Sequence, residues 1–167
     1  MDNSDFFLEL NTKSEYISSL NFDNVTWVHY IGWLATGLDL GVLDKEPILK
    51  KINERFEIES IGVLKMDTNT LYNWHVDDDR GVSINMLLTP EHTSHCIFTK
   101  KRTQKVDVFP IVELEYKKNT FYVFNTQELH SVLNLNSTRY MFSVQFKDKK
   151  NKLLYNEVKQ YCIDNNI

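Results

Sequence analysis

The sequence predicts a mainly β fold, an eight-stranded sandwich or barrel with flanking N-terminal and C-terminal helices. Three observations predict it. Beyond Ile58 the chain breaks into eight short β-rich runs at regular spacing, parted by Asp, Asn, Thr or Gly, which is the pattern of an all-β sandwich or barrel. A jelly roll is one architecture that uses eight strands. Aromatic residues make up 13% of the chain while Gly (5) and Pro (3) are scarce, so long linkers are not expected. The last run, "RYMFSVQF", alternates between two faces.

Taken in order, residues 1–57 mix short apolar pieces and are expected to form a helical or mixed support. Within them "EPILKKINERF", Glu46–Phe56, predicts a helix. Pro47 suits its first turn, and Ile48, Leu49, Ile52 and Phe56 recur at helical spacing. The apolar segment "VTWVHYIGWLATGLDLGVL", with glycines at 32, 37 and 41, reads equally as strand or helix. The β runs follow over 58–146: Ile58–Met66, Leu71–Val76, Val82–Leu88, Cys96–Lys100, Val106–Tyr116, Thr120–Asn125, His130–Leu135 and Arg139–Phe146. A C-terminal helix is expected over 150–163, with Leu153, Leu154, Val158 and Tyr161 on one stripe. A chain of 167 residues suits one domain with a sizeable core.

Composition narrows the function. A net charge of −4 argues against a general nucleic-acid binder, although Lys100, Lys101, Arg102 and Lys105 form a local basic run, read as a solvated loop. Two cysteines, Cys96 and Cys162, offer neither a disulfide framework nor zinc spacing. They read as reduced thiols of a cytoplasmic protein. No signal peptide and no membrane-spanning run is visible. Oligomeric state is not set by the sequence.

The chemistry gathers in "NWHVDDDR". His75 and Asp77 are two residues apart, so an extended strand points both to one face. Two histidines and one carboxylate with open positions opposite suit a non-haem iron(II) centre. His130, which opens the seventh run, is the candidate for the second histidine. Arg139 stands on the following strand, sharing a face with Met141, Ser143 and Gln145. A guanidinium there is a natural bidentate partner for a carboxylate.

The order H-x-D, then H, then R, over eight short strands, resembles the 2-oxoglutarate and Fe(II)-dependent dioxygenases. "HVDDDRGVSINMLL" is similar to their first metal-binding strand–turn–strand, and "HSV…TRYMFSVQF" to the closing strands of the prolyl-hydroxylase branch. Tyr72 also matches a tyrosine of that branch. The likeness runs from about Leu64 to Phe146. It implies a double-stranded β-helix, cupin-like, with His75, Asp77 and His130 holding Fe(II). It also implies 2-oxoglutarate bound through Arg139, O2 as oxidant, and hydroxylation coupled to succinate formation. Met141 departs from the small polar residue usual two after the arginine, and the loop after Asp77 is shorter than in animal prolyl hydroxylases. The DNA-repair dealkylase branch would want an arginine soon after His130, and residues 131–138 hold none.

Further residues are read beside these. Asp78 and Asp79 are expected to be solvated, and Arg80 to meet the metal carboxylate, a substrate acid, or solvent. Ser83 and Asn85 share a strand face and, with Tyr72, are candidates to line the cosubstrate pocket. His29, His92 and His95 read as satisfied or exposed, and Trp27, Trp33 and Trp74 as core or pocket wall. The expected substrate is a protein side chain, prolyl-type included, or a small molecule. The alternative is a non-catalytic cupin-like protein that holds a metal or small acid in the same pocket; a third reading is an interaction domain with incidental histidines.

Overall fold

Ile58–Met66 and Arg139–Phe146 pair antiparallel along their whole lengths, from Arg139 opposite Met66 to Phe146 opposite Ile58. The bounds of both strands are those predicted. The computed structural model describes residues 2–14, 16–89, 94–101 and 108–167. In chain order it contains β1 (Phe7–Lys13), β2 (Val28–Tyr30), β3 (Trp33–Leu38), α1 (Pro47–Asn53), β4 (Ile58–Met66), β5 (Thr70–His75), β6 (Ser83–Leu87) and β7 (Ser94–Thr99). Then come β8 (Val112–Leu114), β9 (Thr120–Phe124), β10 (Leu129–Asn134), β11 (Arg139–Phe146) and α2 (Tyr155–Asp164).

The strands form two antiparallel sheets. The larger runs β1-β9-β6-β11-β4-β3-β2 and the smaller β5-β10-β7-β8. The alternation of β11 divides its side chains as expected. Phe142, Val144 and Phe146 enter a core on the outer face of the large sheet, beneath Leu49 and Ile52 of α1 and Val158 and Cys162 of α2. Each fully buried Leu or Ile there stabilises the fold by about 1.5–3 kcal/mol. Tyr140, on the same face, stacks under Phe22 at 5.9 Å. A second core of Phe98, Phe124, Tyr122, Met141 and Trp33 lies between the sheets.

On its inner face the large sheet is sorted by size. Leu87, Met141, Leu64 and Ala35 form one row of cross-strand partners. The next row is Asn85, Ser143, Gly62 and Gly37. Side chains thus fill one end of the inter-sheet space and leave the other hollow.

Differences from the sequence reading have local causes. α1 ends at Asn53 rather than Phe56, because the Asn53 side chain accepts the Ile58 N–H (2.7 Å) and turns the chain into β4. The undecided apolar segment is the β2–β3 hairpin. Ile31 (φ 45) and Gly32 (φ 79) both take positive φ, as a type I′ turn requires. A 3-10 turn at Leu40–Lys45 follows, capped by Asp39 accepting from the Gly41 N–H (2.7 Å). Residues 1–57 therefore supply three strands besides the expected helix. β1, unread in the sequence, pairs with β9. The run Val106–Tyr116 contracts to Val112–Leu114, its first two residues lying outside the described ones. The last helix starts at Tyr155, where Glu157 accepts the Leu154 N–H (2.8 Å). His92, Arg102 and Lys105 also lie outside the described residues. Among the described residues, no helix is long and apolar enough to cross a membrane.

Candidate metal centre

His75 ends β5 and His130 stands second in β10, and the two are direct register partners. Asp77 lies just past the strand end, yet its backbone stays in line because its N–H donates to the Thr126 carbonyl (2.9 Å). The three side chains converge, with ligand-type atoms all within 4.8 Å of one another. Asp77 Oδ1 is 3.7 Å from His75 Nε2 and 3.9 Å from His130 Nε2. Each imidazole is oriented by its other nitrogen. His75 Nδ1–H donates to the Asn73 carbonyl (2.7 Å) and His130 Nδ1–H to the Glu128 carbonyl (2.9 Å). Those bonds fix the tautomer, leaving both Nε2 lone pairs for a metal. Burial, then the neighbouring His75, push the His130 pKa down to about 4, which keeps its ring neutral.

The turn from Asp77 to Gly81 is held on several sides. Arg80 Nε donates to Asp77 Oδ2 (2.7 Å), its Nη2 lies 2.7 Å from the same oxygen, and its Nη1 donates to Ser143 Oγ (3.2 Å). Of the three roles open to Arg80, contact with the metal-type carboxylate is the one seen. Oδ2 is thereby occupied and Oδ1 is left to the histidines. From below, the Lys150 N–H donates to the Asp79 carbonyl (2.8 Å). Gly81 passes so close that an added Cβ would lie 2.1 Å from the Leu153 carbonyl oxygen. Asp78 and Asp79 are exposed at the mouth of the cavity.

His75, Asp77 and His130 line a cavity of about 310 Å³ together with Tyr72, Asn85 and Arg139. Arg139 enters from the far end of β10: its Nε donates to Ser94 Oγ (2.9 Å), and Ser94 pairs with Asn134. Only 2% of this arginine is exposed. Its guanidinium carbon sits 5.8 Å from the ring centres of both Trp33 and Tyr116. Among the described residues no carboxylate forms an ion pair with it. Burial pushes the nearby Cys96 thiol up to about 11 and raises the Tyr116 phenol well above its ordinary value, so neither supplies the missing negative charge. A buried cation without a counter-ion costs several kcal/mol, and an anion in the cavity would remove that cost.

Other predicted residues fall into place unevenly. Tyr72 lies against His75, ring centres 4.0 Å apart, and edge-on to Trp33 at 5.3 Å. Burial, then the charge of Asp77, raise its pKa. Asn85 lines the cavity, whereas Ser83 is fully buried behind it, with its hydroxyl 2.8 Å from Asn85 Oδ1. Trp33 is pocket wall, Trp27 packs on Tyr140, and Trp74 is exposed beside Phe109. His29 is exposed and His95 pairs with Glu113 at 2.6 Å. Cys96, Tyr116, Thr126 and Gln127 also border the site, and nothing in the sequence marks them for it. A shallower recess of about 180 Å³, lined by Gly37, Ser60, Gly62, Ser143 and Gln145, adjoins the cavity at Arg80.

No protein-family profile matches this sequence, and neither does any curated protein. Solved structures do match in fold. A 2OG-Fe(II) oxygenase-family oxidoreductase from Burkholderia pseudomallei aligns with a TM-score of 0.54 at 11% identity, over 79% of this chain and 75% of that one. A Pseudomonas putida prolyl-4-hydroxylase gives 0.51 at 18% identity, over 70% and 72%. A prolyl hydroxylase from Trichoplax adhaerens, solved with a hypoxia inducible factor peptide fragment, gives 0.50 at 10% identity, over 92% and 73%. At such identities the likeness is one of fold. The mainly β, double-stranded β-helix architecture predicted from the sequence is the one these 2OG-Fe(II) oxygenases and prolyl hydroxylases share.

Proposed function

We propose that this chain is a 2-oxoglutarate- and Fe(II)-dependent dioxygenase that hydroxylates a C–H bond of a protein side chain or a small molecule. The observation that carries the proposal is the pairing, in one cavity, of the His75–Asp77–His130 cluster with the buried Arg139, which has no ion-pair partner among the described residues. Two neutral imidazoles and one carboxylate fit Fe(II). A buried guanidinium fits the far carboxylate of a keto diacid. When bound, the iron and 2-oxoglutarate supply the oxidising chemistry: with O2, the keto acid becomes succinate and carbon dioxide while substrate C–H becomes C–OH.

The protein's share is orientation and dryness. His75, Asp77 and His130 would hold the metal, and Arg80 keeps Asp77 turned so that Oδ1 faces both rings. Phe98 and Phe124 crowd His130 at 5.7 and 5.0 Å between ring centres, walling that side from water. Arg139 orients the cosubstrate from the opposite end. Tyr72 and Asn85 complete its surroundings, and Ser83 acts through Asn85.

A protein side chain, prolyl-type included, is the first substrate class, supported by the fold shared with prolyl hydroxylases. Both cysteines are free and buried, which supports a cytoplasmic setting. The test is succinate formation by purified, Fe(II)-loaded protein given 2-oxoglutarate and O2, with mass spectrometry of candidate peptides and amino acids for the gain of one oxygen. Metal uptake with no turnover of 2-oxoglutarate, with or without those substrates, would reject the enzyme and leave the cupin-like binding protein.

A further inference from the structure

The two halves of the metal cluster come from distant parts of the chain, and two side chains that touch no ligand atom tie them together. Gln127 Nε2 donates to the Asp77 carbonyl (2.8 Å) and to the Arg80 carbonyl (2.7 Å). Thr126 Oγ1 donates to that same Arg80 carbonyl (2.6 Å), and the Thr126 carbonyl accepts the Asp77 N–H (2.9 Å). Both N–H groups of one carboxamide are thus used on a single turn. Thr126 and Gln127 belong to the loop between β9 and β10, a few residues before His130.

This turn has no strand ladder of its own. β5 ends at His75, β6 begins at Ser83, and Val76, Asp78 and Asp79 are exposed. A free turn would have to be ordered when a metal arrives, at a cost in backbone entropy. We propose that Gln127 and Thr126 are positioning residues of the metal centre. They lock the Asp77–Arg80 turn onto the loop that leads into the strand carrying His130, so the three ligand atoms are already gathered in the metal-free chain. Their donors are neutral, so they act by orientation and leave the charge at the metal unchanged. Arg80, whose cation bonds Asp77 directly, both orients that carboxylate and adds charge beside it. The inference rests on the metal reading above.

Cobalt(II) is the probe, because its visible d–d bands report ligand geometry without turnover. The full chain is titrated with cobalt in competition with a chelator, as wild type, Gln127→Met, Thr126→Val and Thr126→Ser. Gln127→Met keeps the length and removes both donors; Thr126→Ser keeps the hydroxyl. Gln127→Met and Thr126→Val are expected to bind cobalt on the order of 10- to 100-fold more weakly, with altered bands, while Thr126→Ser stays near wild type. Urea unfolding of the metal-free forms checks folding. Should Gln127→Met fail to fold, the Thr126→Val and Thr126→Ser pair decides alone. Wild-type affinity and bands in both Gln127→Met and Thr126→Val overturn the clamp only. A wild-type chain that takes up no cobalt overturns the metal reading and the clamp with it.

Discussion

His75 and His130 face each other as register partners on β5 and β10, with ring centres 4.1 Å apart and planes inclined at 56°. One cross-strand pair therefore delivers two of the three candidate ligands, and the sheet's hydrogen bonds hold them in place. Asp77 needs only a short turn to join them.

Removing a ligand should abolish tight metal binding. His75→Ala and Asp77→Ala are expected to lose stoichiometric Fe(II) after anaerobic loading and desalting, measured by metal analysis. Full iron occupancy in either variant would rule out the cluster.

Arg139 should matter to the keto acid and not to the metal. Arg139→Met keeps most of the volume between Trp33 and Tyr116 but removes the cation. Loss of a buried charge pair costs roughly 2–5 kcal/mol, so 2-oxoglutarate affinity should fall by more than tenfold while Fe(II) affinity holds. Calorimetric titration of each ligand makes the comparison, and an unchanged 2-oxoglutarate affinity would count against the anchor.

Acid should weaken the metal-free protein through His130. Its folded pKa, about 4, lies below the ordinary 6.5, so as pH falls between those values the unfolded chain takes up a proton that the folded chain refuses. Stability is therefore full above about 6.5 and declines toward 4, by at most about 3 kcal/mol from this one ring. Urea midpoints measured across that window should slope for wild type and flatten in His130→Gln. Equal slopes would show that the burial of this ring is not what acid undoes.

Much of this was readable from residues alone, and the reasons differ by element. The alternation in "RYMFSVQF" reported β11 faithfully, because one face packs under helices and the other lines a cavity. That His75, Asp77, His130 and Arg139 would meet in one cavity was legible because two residues of like strand parity, and two strands joined by a short turn, point their side chains together. Gln127 and Thr126 were invisible for the opposite reason. They act on backbone carbonyls through a non-repeating turn, and nothing in "NTQEL" marks which carbonyl will lie opposite. β1 escaped because its apolar part, Phe7, Leu8 and Leu10, stops after four residues at Asn11, Thr12 and Lys13, and its partner β9 lies far along the chain.

Gly81 gives a test of the C-terminal contact. Its missing side chain lets Leu153 and Lys150 reach the Asp77–Gly81 turn from beneath. Gly81→Ala should destabilise the fold by about 1–3 kcal/mol, as overpacking does, and loosen the turn with it. A wild-type urea midpoint in this variant would show that the C-terminal segment can move aside freely.

The row of Asn85, Ser143, Gly62 and Gly37 has a different bearing. A Cβ at Gly37 would meet nothing within 4 Å, so the recess beside the metal cluster is bounded there by an omission. Under the proposed oxygenase function, the choice of what is oxidised can be edited separately from the means of oxidising it. A bulkier residue at position 37 would refit the recess while leaving His75, Asp77, His130 and Arg139 as they stand. One reaction centre could then pass between substrates by changes at its vacant margin alone.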